Sequence, residues 1–374
     1  MTSKDHMLSV LTGEHSAVPP VVLHSWGDYK VQFAGHPPKL QYVQGGNELA
    51  EIERTFYERF RPDWIHLGSA GRRELWTRPR RFEGDHVYIR SRDGRRWIEI
   101  RADYTLADDP GSPTRDTAAL RLESRRSIDD YYAATRTTVE HVLASGRFDH
   151  VKRIADGYGD HVLIAVNDGT PGWVPGASFE EMAIACVEKP DLIAYHIFKA
   201  CEHFLNDVRA AKLAGAHAYI FSEGFPHSLD VLSPAMHERL EGDARRWFYT
   251  EVREIGILPI GYWLGDVRPN MQLINSLDMA GMMIEEDKKG FTLDPIEIRK
   301  MLRPEICLFG NLDSARLLRG PHEAIRADVR RQIRAAAHGP FVLANGSPLI
   351  IGTPPEHIDA YLDEARKGVM DEAI

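Results

Sequence analysis

The sequence predicts an α/β chain folded as a single (β/α)8 barrel, a TIM barrel, with a β-hairpin inserted in its N-terminal part. Three observations predict it. Short, near-continuously apolar runs rich in β-branched residues recur eight times along the 374 residues. Helical segments separate them, and several of these open on Pro. The length also accommodates one closed barrel, which takes about 250 residues or more. Alternating strands and helices build a parallel sheet covered on both faces. Strands buried on both faces read as unbroken apolar runs. No GxGxxG follows any run, which argues against an open dinucleotide-binding sheet.

The runs are residues 21–26, 64–67, 161–166, 218–222, 258–263, 282–285, 306–310 and 341–344. Residues 179–215 read as helix: Glu180 and Glu181 near the start, Ile193, Ile197, Ala200, Phe204 and Val208 at helical spacing, and Gly215 as the stop. Residues 233–256 open on Ser233-Pro234, an N-cap followed by Pro at the first helical position. Helices are also predicted over 295–302, 321–338 and 355–367. Residues 86–91 and 95–101 alternate around Arg92-Asp93-Gly94, the pattern of a hairpin with an Asp-Gly turn. Between Arg72 and Arg101 stand ten Arg against five acids. That segment reads either as a solvated face or as a lid meeting an anionic ligand or partner. Residues 105–116 read as a loop. One domain therefore spans 1–374, with the insertion at about 72–104.

A net charge of -9 argues against nucleic acid as a partner. No apolar run approaches the roughly 18 residues of a membrane span. Residues 1–15 are too polar for a signal peptide. Cys186, Cys201 and Cys307 form no CxxC, which fits a reducing, cytoplasmic setting. HExxH, GxSxG and P-loop motifs are missing.

Chemistry in such barrels sits at the carboxyl ends of the strands. Those ends carry His24-Ser25-Trp26, Gly68-Ser69, Asn167-Asp168, Ser222-Glu223, Tyr262-Trp263, Glu285-Glu286-Asp287, Asn311 with Asp313, and Asn345 with Ser347. A carboxylate beside an apolar run is desolvated, which raises its pKa and suits it to acid–base work or to a cation. Glu223 and Glu286, with Tyr262, are the catalytic candidates. His24, Trp26, Trp263, Asn311, Asp313 and Ser347 are the substrate-binding candidates. Glu223, His227 and Glu286 form a chemically sensible metal set. Against these readings, a strand-end Asn or Ser often caps a helix, and Lys288 or Lys289 is at hand to pair with Glu285 or Glu286.

Ile306-Cys307-Leu308-Phe309-Gly310-Asn311-Leu312-Asp313 resembles the Gly-Asn-(Ile/Leu)-Asp signature of the uroporphyrinogen decarboxylase superfamily. Gly352-Thr353-Pro354-Pro355-Glu356-His357-Ile358, Ala214-Gly215-Ala216-His217-Ala218-Tyr219-Ile220 and Leu232-Ser233-Pro234 are similar to further segments of it. The resemblance is most specific from about 210 to 365 and implies a (β/α)8 barrel. It also implies one of two activities, porphyrinogen decarboxylation or zinc-dependent methyl transfer with corrinoid proteins. The decarboxylase's Arg-rich N-terminal motif is replaced here by His24-Ser25-Trp26-Gly27-Asp28-Tyr29, and its aspartate motif by Ile65-His66-Leu67-Gly68-Ser69. The zinc-binding His-x-Cys and later Cys are replaced by Tyr262, Leu264 and Ser347. What remains resembles divergent, demethylase-like members. These pass a methyl group from a small methoxylated or N-methylated donor to cobalamin, carried on a corrinoid protein as partner, with zinc as a second cofactor option. Two alternatives stay open: a lyase for a small carboxylated ring, and a barrel that binds a ligand without turnover. By family analogy the chain is a monomer or homodimer.

Overall fold

The computed structural model describes residues 1–71, 73–101, 119–167, 169–224, 228–288 and 290–367. The loop expected at 105–116, and His227, lie outside them. In chain order the strands are β1 (Trp64–Gly68), β2 (Arg80–Glu83), β3 (His86–Arg90), β4 (Trp97–Glu99), β5 (Leu163–Asn167), β6 (Ala218–Glu223), β7 (Leu258–Trp263), β8 (Gly281–Ile284), β9 (Cys307–Phe309) and β10 (Phe341–Val342). One curled sheet has the order β1-β5-β6-β7-β8-β9-β10, every neighbouring pair parallel.

Residues 21–26, expected as the first strand, form only an isolated bridge, Val21 with Leu343. The segment still touches both sheet edges. The Val22 N–H donates to the Leu343 carbonyl at 2.8 Å, and the Asp63 N–H donates to the Val21 carbonyl at 2.8 Å. The ladder stops because a side chain takes the backbone's place. The Asn345 amide accepts the His24 N–H at 2.9 Å and donates back to the His24 carbonyl at 2.8 Å.

Successive strand residues point to opposite faces, and here both faces are buried. Inward lie Val22, Trp64, Leu163, Ala165, Ile220, Ile260, Met283, Phe309 and Val342, sealed at one end by Met7, Val10 and Leu11. Those three come from a helix, Ser3–Leu11, that sequence reading passed over as a polar terminus. Its spacing Met7, Val10, Leu11 is a helical stripe, and Thr2 and Asp5 close a capping box at its start. Outward lie Ile65, Val166, Tyr219, Phe221, Trp263, Met282 and Leu308, packed under the helices.

Gly310 of the Gly-Asn-Leu-Asp segment has a steric reason. A Cβ there would lie 1.9 Å from Gln332 Oε1. That amide is pinned, donating to the Ala344 carbonyl at 3.1 Å and accepting the Ala344 N–H at 3.2 Å. Gly310→Ala is expected to lose about 1–3 kcal/mol of stability by overpacking, read as a lower urea midpoint. An unchanged midpoint would show that Gln332 swings aside freely.

Between β1 and β5 stands a separate antiparallel sheet, β2-β3-β4, with Ile89 opposite Ile98. It shares a small core, Val87, Ile89 and Ile100, with Val31, Leu40, Val43 and Ile52. Its arginines are engaged close by. Arg80 pairs with Glu48 at 2.8 Å, Arg92 with Glu74 at 2.7 Å, and Arg81 and Arg90 cover the Trp97 ring. Among the described residues, no helix is long and apolar enough to cross a membrane.

Candidate active site at the carboxyl ends of the strands

Period-two alternation carries each inward row one step beyond the apolar core. Two residues after Val22, Trp64, Ile260 and Met283 come His24, His66, Tyr262 and Glu285. The His24 ring lies 5.2 Å from the His66 ring and edge-on to Tyr262 at 4.8 Å, centroid to centroid. Trp64 backs His66 at 5.5 Å. The Asn345 clamp described above holds the His24 backbone.

The loop after β8 adds charge. Lys288 Nζ lies 2.6 Å from Glu285 Oε1 and 3.6 Å from Glu286 Oε1, and donates to Ser347 Oγ at 2.7 Å. The Gly265 N–H donates to Glu285 Oε2 at 2.7 Å. Glu286 Oε2 is buried and makes no hydrogen bond. Gly346 lets this turn close, since a Cβ there would lie 2.4 Å from the Glu286 N and 2.7 Å from its Oε2.

Burial sets the protonation states. It drives His24 down to about 3, aided by Lys30 and Lys288 and opposed by the Gly346 backbone. It holds His66 well below the usual imidazole range, aided by His24 and Lys30 and opposed by the Ser25 backbone. Both rings are therefore neutral near pH 7. Burial, with the Glu285 and Glu286 charges, pushes the Tyr262 phenol upward, while Ser347 acts against it. Burial raises the Glu286 carboxyl, with Lys288 and Ser347 opposing.

So His24, Tyr262, Glu286 and Ser347, named from sequence, do share one site. The others do not. Glu223 continues the outward row of Tyr219 and Phe221, so it faces the helices. There it accepts from Tyr249 Oη at 2.9 Å and pairs with Arg245 at 3.3 Å. Its desolvation was legible, and burial does raise its pKa, but its side of the sheet was misjudged. Trp263 packs in the outer core, and Trp26 is half exposed beside the helix Gly27–Phe33. Asn311 donates to the Leu293 carbonyl at 2.9 Å and accepts from Arg331 at 3.1 Å. Asp313 caps the helix Ser314–Arg319 through the Ala315 N–H. These are structural uses.

The set Glu223, His227 and Glu286 is not assembled by the described residues, because Glu223 is engaged by Tyr249 and Arg245, whereas Glu286 lies past the end of β8 with Lys288 and Ser347. Among the described residues, no three His, Cys, Asp or Glu side chains are grouped to hold a metal. Tyr262, Leu264 and Ser347 supply neither thiolate nor imidazole, so they do not fit the zinc site that the resemblance implies. Cys186, Cys201 and Cys307 are all buried, and burial pushes the first two thiols up to about 12. The pairing of Lys288 with Glu285 was anticipated, while sequence reasoning missed His66, the bond from Lys288 to Ser347 and the Asn345 clamp. The row Trp64-x-His66 was the available signal for the first of these.

Polar side chains gathered at the carboxyl ends of a curled parallel sheet are the arrangement in which α/β barrel enzymes place their chemistry. The chain belongs to the uroporphyrinogen decarboxylase (URO-D) family, whose model matches residues 173–368. A stretch of 75 residues is 39% identical to the uroporphyrinogen decarboxylase of Granulibacter bethesdensis, covering 20% of this chain and 22% of that protein. Along nearly its full length the fold is similar to that of a methyltransferase from Methanosarcina mazei. The TM-score is 0.70 at 19% identity, covering 98% of this chain and 99% of that one.

Proposed function

We propose that the chain is a (β/α)8-barrel methyltransferase, with the segment around Val21 as its eighth stave. It moves a methyl group from a small methoxylated or N-methylated donor to a corrinoid acceptor brought by a partner protein. The observation that carries this reading is Glu286: a buried carboxyl with a raised pKa and an unbonded Oε2, beside Tyr262 and Ser347. Demethylation of an ether leaves an oxygen that needs a proton, and a neutral carboxylic acid supplies one. As the donor's carbon–oxygen bond breaks and the methyl carbon passes to the acceptor, the leaving oxygen takes the Glu286 proton. The corrinoid supplies the cobalt nucleophile. The ammonium beside these acids, Lys288, is already engaged by Glu285 at 2.6 Å, so it is not available to bind a substrate with many carboxylates, which favours methyl transfer over porphyrinogen decarboxylation. The Methanosarcina protein's description as a methyltransferase is in keeping with it.

The test is to incubate the protein with reduced cob(I)alamin and a panel of methoxylated phenols and N-methylated amines. Methylcobalamin absorbance, with one demethylated product per methyl group, is expected. Release of carbon dioxide from a carboxylated ring without cobalamin would replace this reading with the lyase. No turnover on either panel would leave a binding barrel.

A further inference from the structure

Three side chains in one corner of the site have polar atoms with no partner. His66 Nε2 and Ser25 Oγ make no hydrogen bond, the His24 ring meets only the Gly346 backbone, and the three residues, His66, Ser25 and His24, are only 4%, 2% and 0% exposed. Clustered buried polar atoms without a partner call for an explanation in a native structure. The corner is also rigidly supported. Lys30 Nζ donates to the His66 carbonyl and is paired with Glu53 at 2.7 Å, both buried. Trp64 lies against the His66 ring, and Asn345 holds His24.

The Ser25 N–H points at His66 Nδ1 at 3.4 Å. An N–H facing Nδ1 makes that nitrogen the acceptor and leaves the ring proton on Nε2. We propose that the His66 Nε2–H, in the corner His66 shares with Ser25 and His24, recognises an uncharged oxygen of the substrate, a hydroxyl or carbonyl, separate from the oxygen that loses the methyl group. This deepens the methyl-transfer reading and rests on it, in that it takes the donor to lie in this site.

Two other ligands fit less well. A divalent metal would need a lone pair on Nε2, with the proton moved to Nδ1 against the Ser25 N–H. A carboxylate would meet two neutral imidazoles, because the Lys30 charge is already balanced by Glu53. A buried anion without a counter-charge is disfavoured. An uncharged oxygen needs only a donor, which the corner supplies.

The experiment uses the full chain. Long-range 1H–15N spectra of its histidines, assigned with His66→Gln, are expected to show the Nε2–H tautomer at His66; the Nδ1–H tautomer overturns the assignment. Calorimetric titration then compares 2-methoxyphenol, methoxybenzene and 2-methoxybenzoate. The phenol is expected to bind at least about tenfold tighter than methoxybenzene. In His66→Phe that ratio should fall to about one, and in His66→Gln, which retains an N–H donor, part of it should return. Equal affinities in the wild type, a preference untouched by His66→Phe, no binding up to about 10 mM, or tightest binding of the benzoate each overturn the proposal. Zinc alone binding at one equivalent, and lost in His66→Phe, would replace it with a metal site. A His66-dependent preference without methyl transfer would keep this site and remove the transferase reading. Methyl transfer without the preference would do the reverse.

Discussion

Glu286→Gln is expected to lower methyl transfer from an unactivated ether by about a hundredfold or more, within the range of general acid catalysis, while the fold is kept. The carboxyl is 7% exposed and its ion pair with Lys288 is long, at 3.6 Å. Replacing the carboxyl by an amide of the same shape therefore removes little that holds the chain together. The effect should depend on the leaving group. A donor that leaves as a weakly basic oxygen, such as a nitrophenyl methyl ether, needs no proton and should lose far less. The pH profile gives a second readout. Burial raises the Glu286 pKa, and an acid works when protonated, so kcat/KM should fall as pH rises through that value. The other shifted groups of the site do not mimic this limb. His24 lies near 3, His66 is held far down, and Tyr262 is pushed up, away from neutral pH. The variant should lose the limb. Equal losses for activated and unactivated donors, with the limb retained, would place the acid elsewhere.

The contrast between Glu286 and Glu223 shows what a sequence encodes and what it leaves open. Both follow an apolar run, and both are desolvated with raised pKa values. Composition predicts that much, because desolvation depends on burial alone. It does not say which face a strand-end residue takes. That follows from register, and a one-residue shift exchanges the faces. Counting by twos from Ile220 would have placed Ser222 inward and Glu223 outward. The same count from Trp64 would have found His66. The parallel sheet itself was legible because both faces are apolar. The first stave was over-read because Asn345 imitates a peptide group, and a side chain that replaces a strand partner leaves no periodic trace. Lys288 was seen as a neighbour of Glu285 in sequence, but its bond to Ser347 joins segments 59 positions apart.

Arg245→Met is expected to cost about 3–5 kcal/mol of stability, the scale for breaking a buried ion pair from one side. Arg245 is 5% exposed and lies between two carboxylates, Glu223 and Glu241, at 3.3 Å each. Tyr249 donates to the first, and His237 Nδ1 lies 2.7 Å from the second. Removing the guanidinium leaves both acids buried with hydrogen bonds but no full counter-charge. The pH dependence follows from the signs. The Glu241 pKa is lowered, burial being outweighed by His237 and Arg245. Glu241 thus contributes stability above the ordinary carboxylate range, which is lost as pH falls through its folded value. The Glu223 pKa is raised, so its contribution is fully present at acid pH and is lost as pH rises through the folded value. Without Arg245 that rise should grow, and urea unfolding between pH 5 and 8 should find the variant losing more stability at the alkaline end than the wild type. Arg245→Met with Glu223→Gln should recover part of the loss, because the amide keeps a hydrogen-bonding partner for Tyr249 without a charge. If Glu223→Gln alone abolished methyl transfer while leaving the urea midpoint in place, the acid–base chemistry would have to be moved from Glu286 to this outer cluster.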